Sequence, residues 1–259
     1  MMRHYRILWC AGFVILAAVS GLVLFIWRLN AMSDRPQMVI EEEVGNGITY
    51  AVGLEGTDPE TWELVASVTY DYDSLDGIQA YVAFNQAALT QLEHSDLQIL
   101  QVAVVFNHPL SQADFERFVA ETGLKVEQYS LRAVQADGQR VTIYGGPPDD
   151  ADLVSDDQLA QVLQDIQDRA DGHLRGWISV EGQLPTANAR QISVHPDVFL
   201  LDVVETVISQ SLTPENLSKT GMSREIQQLY LTGKVRPAFS RPPLFWSLEN
   251  LGLVKDGSQ

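Results

Sequence analysis

Residues 99–106, ILQVAVVF, and the segment that follows them, SQADFERFVAETG at 111–123, decide the fold class. The first is an almost unbroken β-branched and aromatic run of the kind that forms a strand buried on both faces. The second is an amphipathic helix with its own start and stop signals. Ser111 caps it with Asp114 three residues on, Leu110 and Phe115 are placed as a hydrophobic staple, Phe115, Phe118, Val119 and Thr122 form one stripe, and Gly123 closes it.

Downstream, Val126–Val134 alternates, sending Tyr129, Leu131 and Ala133 to one face and Gln128, Ser130 and Arg132 to the other. Asp137-Gly138 supplies a hairpin turn into Val141–Tyr144, so this pair is expected to be antiparallel with one face wet. After Gly145-Gly146-Pro147-Pro148, a second capped helix is expected over 155–171, with Leu159, Val162, Leu163, Ile166 and Ala170 on its buried stripe. Leu174–Glu181 reads as a strand, Pro185–Val194 as a short helix, and Val198–Ile208 as a long apolar strand interrupted by Asp202 and Glu205. Strands alternating with amphipathic helices and one hairpin imply an α+β, ferredoxin-like mixed-sheet sandwich with an additional helix over residues 97–212.

Upstream of this domain, Ile48–Ser95 is expected to be a helical lead-in. Asp58-Pro59 is a helix-start signal, Tyr81, Phe84, Ala88 and Leu92 have helical spacing, and Leu64–Tyr70 is an alternative strand. Residues 28–47, with Pro36, Glu41, Glu42 and Glu43, read as a linker.

Residues 7–27 are 21 consecutive positions without charge or proline. At about 1.5 Å of rise each they span the roughly 30 Å hydrocarbon layer, so they are expected to form a transmembrane helix. Cleavage after Ala18-Val19-Ser20 as a secretory signal would leave Leu22–Trp27 as an apolar stump, which favours an uncleaved anchor. The single cysteine, Cys10, lies inside the run beside Trp9, a poor context for lipid attachment. Arg3 and Arg6 oppose Arg28 and Arg35 across the span, and the preferred topology keeps residues 1–6 in the cytoplasm and places the C-terminal domain outside the cell membrane.

Charge divides the chain behind the anchor. Residues 37–212 carry 29 acidic side chains against 7 Lys or Arg, whereas residues 213–259 carry 4 against 6. The acidic surface would repel phosphate backbones, so no nucleic-acid role is expected; solubility or a cationic partner fits it better.

Tests for chemistry return no catalytic, cofactor or metal set. The histidines, His4, His94, His108, His173 and His195, have no shared-metal spacing. Asp71–Gly77 glances at a calcium loop, but positions five and twelve would be Leu75 and Val82, so it reads as a solvated acidic turn. Asp149, Asp150, Asp152, Asp156 and Asp157 suit a helix N-terminus, with weak divalent-cation binding as an alternative. Asp202 and Glu205, three apart on an expected strand, would face opposite sides and could not work as a close pair. The tail, residues 213–259, is Pro-rich and aromatic. Phe239, Arg241, Leu244, Phe245, Trp246 and Leu248 are the candidate partner-binding residues, with a strap folded onto its own domain as the competing reading.

Gly176-Trp177-Ile178-Ser179-Val180, a short helix, and then Pro196–Asp202 resemble the closing β-α-β of the ferredoxin-like subtilisin propeptides and related proteinase inhibitors, over about residues 174–207. That resemblance implies the fold, and an inhibitor or chaperone role as an alternative; it transfers no contact residue. The chain departs from the pattern by the inserted 155–171 helix and by having no protease domain after it. The leading expectation is a membrane-anchored extracytoplasmic interaction protein with a protein partner and no cofactor; an enzyme assembled from dispersed carboxylates such as Asp71, Asp73, Asp202 and Glu205 is a further alternative.

Overall fold

A computed structural model describes residues 37–55, 63–147 and 172–254, together with positions 153, 160, 161 and 164. The expected transmembrane helix at 7–27, the Asp58-Pro59 signal and most of the 155–171 helix lie outside these residues. Among the described residues no helix is long and apolar enough to cross a membrane.

The protein is α+β, with two sheets and, among the described residues, seven helices. The elements run β1 (Gln37–Gly45), β2 (Ile48–Glu55), β3 (Glu63–Thr69), α1 (Leu75–Leu92), β4 (Ile99–Leu110), α2 (Gln112–Thr122), β5 (Lys125–Val134) and β6 (Arg140–Gly145), and continue with β7 (His173–Pro185), α3 (Thr186–Ser193), β8 (Val198–Asp202), α4 (Val204–Ser211), α5 (Pro214–Ser218), α6 (Arg224–Leu231), β9 (Ala238–Ser240) and α7 (Leu244–Asn250).

Five strands form an antiparallel sheet in the order β6-β5-β7-β4-β8. β4 and β5 run parallel with β7 between them, and β7 and β8 run parallel with β4 between them. The connections α2 and α3 therefore each complete a split β-α-β unit. The start and stop signals for α2 are realised: Ser111 Oγ accepts the Asp114 amide hydrogen at 3.2 Å, and Gly123 closes the helix with φ +68°. The Asp137-Gly138 turn links β5 to β6, with φ +86° at Gly138, a value a side chain would oppose.

Four sequence expectations change. Residues 37–45 are not linker but the edge strand of a second sheet, ordered β1-β2-β3-β9, whose Glu41–Glu43 run faces solvent. Charges on an edge strand block further pairing and also mask its periodicity. The lead-in segment contributes β2 and β3 to that sheet, so it is helical only in α1; β9 joins β3 in parallel, which makes this sheet mixed, whereas the sheet of residues 97–212, expected to be mixed, is antiparallel throughout. Finally, the apolar run at 198–208 is strand only to Asp202. The Asp202 carboxylate accepts the Val204 amide hydrogen at 3.0 Å and Asn85 Oδ1 accepts that of Val203 at 2.8 Å. These bonds end the strand, and Val204 and Ile208 then bury at helical spacing in α4.

Two hydrophobic cores result, one on each face of the five-stranded sheet. On one face Phe115 and Phe118 of α2 and Ala189 and Ile192 of α3 pack on Val104, Phe106, Trp177 and Val180. Phe115 stacks on Trp177 with ring centroids 5.4 Å apart. On the other face Val105, Ile178 and Leu200 meet β2, β3, α1, α4 and α7. Each such large side chain removed from water contributes roughly 1.5–3 kcal/mol.

Candidate functional site

The second face of the five-stranded sheet carries the polar residues of the alternating strands, and the C-terminal segment lies across it. The face expected to be wet is therefore covered. Arg132, on β5, is fully buried. Its guanidinium reaches Glu249 Oε2 at 2.8 Å, donates to Thr142 Oγ1 at 2.7 Å and has the Trp246 ring 4.2 Å away. Trp246 Nε1–H donates to the same Thr142 oxygen at 2.9 Å, and Arg140 reaches Glu249 at 3.2 Å. Burial pulls the Arg132 pKa below its ordinary value, while Glu249 opposes that shift.

A second cluster surrounds Arg241, on the turn between β9 and α7. Its guanidinium lies 3.6 Å from Asp202, 3.4 Å from Glu205 and 3.9 Å from Glu181, and faces the Phe239 ring at 4.6 Å. Burial works against its charge, but Asp202, Glu181 and Glu205 outweigh burial and raise its pKa. Glu205 is pushed up by burial, with Arg241 and Arg236 opposing. Arg236 joins Glu127 at 2.8 Å to Glu205 at 3.5 Å. The acidic body and the basic tail legible in the sequence thus meet within one chain.

Asp202 and Glu205, which the expected strand kept apart, converge on Arg241 because the strand ends between them. Tyr81 Oη–H donates to Asp202 at 2.7 Å, and the Tyr81 ring stacks on Tyr70 at 3.9 Å with planes 7° apart. Burial raises both phenol pKa values, and the Asp202 charge adds to it. The Tyr70 hydroxyl is buried and has no hydrogen-bond partner among the described residues.

Of the tail residues expected to capture a partner, Leu244, Phe245 and Leu248 are 5%, 4% and 0% exposed inside the chain's own core. Phe239 and Trp246 are half-buried against Arg241 and Arg132, and Arg241 itself is locked in ion pairs. The tail is a strap on its own domain. The residues sequence reasoning missed are Arg132, Arg140 and Glu249; the available signal was the opposite charge of body and tail.

Two hollows remain beside the strap. An open groove of about 730 Å³ runs between the segment Arg236–Phe239 and strands β5–β7, with Gln101, Glu127, Tyr144, Glu181 and Glu205 on its walls. Tyr144, on the edge strand β6, is 64% exposed at its rim. Behind it a cavity of about 250 Å³ is lined by Tyr70, Tyr81, Ser130, Ser179, Asp202 and Arg241, among others, and it shares Gln128, Tyr144, Glu181 and Phe239 with the groove.

Elsewhere, His108 and His195 flank Asp197 at 4.0 and 3.8 Å, a juxtaposition their spacing in sequence hides. In the Asp71–Gly77 turn, Ser74 caps α1 and donates to Asp71 at 2.5 Å. Among the described residues no group of three or more His, Cys, Asp or Glu side chains could hold a metal ion.

No family model matches the chain, and neither curated proteins nor solved structures include a significant match to it.

Proposed function

We propose that the chain is a membrane-anchored extracytoplasmic interaction protein, held through residues 7–27, that docks a protein partner in the acidic groove and performs no covalent chemistry. The observation that carries this reading is the groove itself. It is open, large enough for several side chains, walled by the carboxylates of Glu127, Glu181 and Glu205 against, among the described residues, the single lining guanidinium of Arg236, and flanked by an exposed tyrosine. A partner segment bearing Lys or Arg and an apolar anchor would complement it. The absence of work for the carboxylates as acids or bases also supports binding, because Asp202 and Glu205 each face a guanidinium. The test is crosslinking and co-purification from native membranes with the wild-type chain and with Glu127→Lys; capture of a partner that the charge reversal abolishes is the expected result, and capture unaffected by it would remove the groove from the account.

The finer architecture we read as ferredoxin-like. The order β5-β7-β4-β8 and the two split β-α-β units support this, with β6 as an added edge strand. The same topology is all that supports a propeptide-like inhibitor or chaperone role. An enzyme is favoured by one observation, the convergence of Asp202, Glu205 and Tyr81 around Arg241. Turnover by the purified protein that is lost in Asp202→Asn would establish it over the binding reading.

A further inference from the structure

We propose that the inner cavity behind the groove is a binding site for a neutral polyhydroxylated ligand, a pyranose sugar. This site is separate from the protein contact proposed for the outer groove.

Two buried donors point to an oxygen-bearing ligand. The Tyr70 residue is 4% exposed, and its hydroxyl has no hydrogen-bond partner among the described residues although its ring is fixed by stacking on Tyr81. Arg241 Nη1 is likewise buried, and its nearest carboxylate oxygen, on Asp202, is 3.6 Å away, beyond hydrogen-bond reach. Both residues line the same cavity. A buried donor without an acceptor is unfavourable by the full desolvation of that group, and a ligand oxygen placed between the two would satisfy both.

The remaining walls select the ligand class. An anion would meet Asp202 and Glu181, and a cation would meet Arg241, which those carboxylates already balance. An apolar molecule would cover the hydroxyls of Ser130, Ser179 and Thr142 without bonding to them. A neutral polyol accepts from Tyr70, Arg241 and the Thr142 hydroxyl and donates to Glu181 and the Ser130 and Ser179 oxygens. Phe239 and Trp246 also line the cavity, each ring packed against a guanidinium. At about 250 Å³ the cavity lies just below the roughly 300–1,000 Å³ of drug-sized pockets, which fits a single sugar ring.

The test is calorimetric titration of the full chain in lipid nanodiscs with D-glucose and with N-acetylglucosamine, using L-arginine and sodium sulfate as charged comparisons. Saturable binding of at least one sugar is expected. Tyr70→Phe should weaken it about tenfold while leaving the thermal midpoint unchanged or raised, since the hydroxyl has no partner to lose; Val194→Thr, on an exposed position outside the cavity, should change neither. The proposal is overturned if neither sugar binds saturably, if arginine or sulfate binds instead, or if Tyr70→Phe leaves sugar affinity intact. No protein partner takes part in the titration, so its outcome is independent of the groove experiment.

Discussion

Replacing Arg241 with methionine removes the cation that faces Asp202, Glu205 and Glu181 while keeping most of the side chain's volume. The residue left most in need is Asp202, 3% exposed, followed by Glu205, whose side chain is 16% exposed. Breaking a buried ion pair from one side destabilises by about 3–5 kcal/mol, because a charge is stranded out of water. Against a total stability of roughly 5–15 kcal/mol this is a large fraction, so urea unfolding at neutral pH should show a much lower midpoint. The loss should also depend on pH with a definite sign. The Glu205 pKa in the folded protein is raised above 4.5 by burial and held down by Arg241, so removing Arg241 raises it further. A raised carboxyl pKa means the folded state binds the proton more tightly than the unfolded one, and stability contributed by that proton falls as pH rises through the window above 4.5. The penalty of Arg241→Met should therefore shrink on acidification toward that window. A loss below about 1 kcal/mol, which is the range of solvated surface pairs, or a loss that does not change with pH, would refute the buried-cluster reasoning.

Other perturbations follow from the same contacts. Glu249→Gln leaves the fully buried Arg132 without its carboxylate and should destabilise by about 3 kcal/mol, read by the same unfolding assay. Trp246→Ala removes the Thr142 hydrogen bond and the ring beside Arg132 and Arg140, and about 3 kcal/mol should be lost on denaturant unfolding. Ser111→Ala deletes the cap of α2 and should lower stability by about 1 kcal/mol, with faster amide exchange confined to that helix's first turn. Truncation before Arg236 deletes β9 and α7 from the core, so the shortened chain should expose apolar surface to a hydrophobic dye instead of folding as an independent domain.

The α+β class, the β4-α2 unit and the β5-β6 hairpin could be read from the chain because each carries local signals: caps, alternation, a turn dipeptide. What could not be read depends on partners distant in sequence. β1 hides its strand character behind Glu41–Glu43, which are tolerated only because an edge strand leaves them in water. β8 and α4 share one apolar run, and the break at Asp202 is set by its own side chain and by Asn85, 118 residues from the Val203 amide it accepts. The candidate site suffered most from this. Asp202 and Glu205 were placed on opposite faces by a strand period that stops between them. The tail stayed open between partner capture and a strap on its own domain, because composition cannot say whose core its apolar anchors fill. The charge division was visible in the sequence, and its structural meaning is the strap.

The central claim, that the acidic groove is the contact surface, is tested most directly by site-specific photocrosslinking in native membranes. A photoreactive amino acid would replace Tyr144, at the groove rim, and separately Val194, exposed at 71% and not part of the groove lining. The account predicts a discrete adduct from position 144 that excess free basic peptide suppresses, and none from 194. An adduct from 194 alone, or none from 144 in membranes where the chain is folded and anchored, would contradict it.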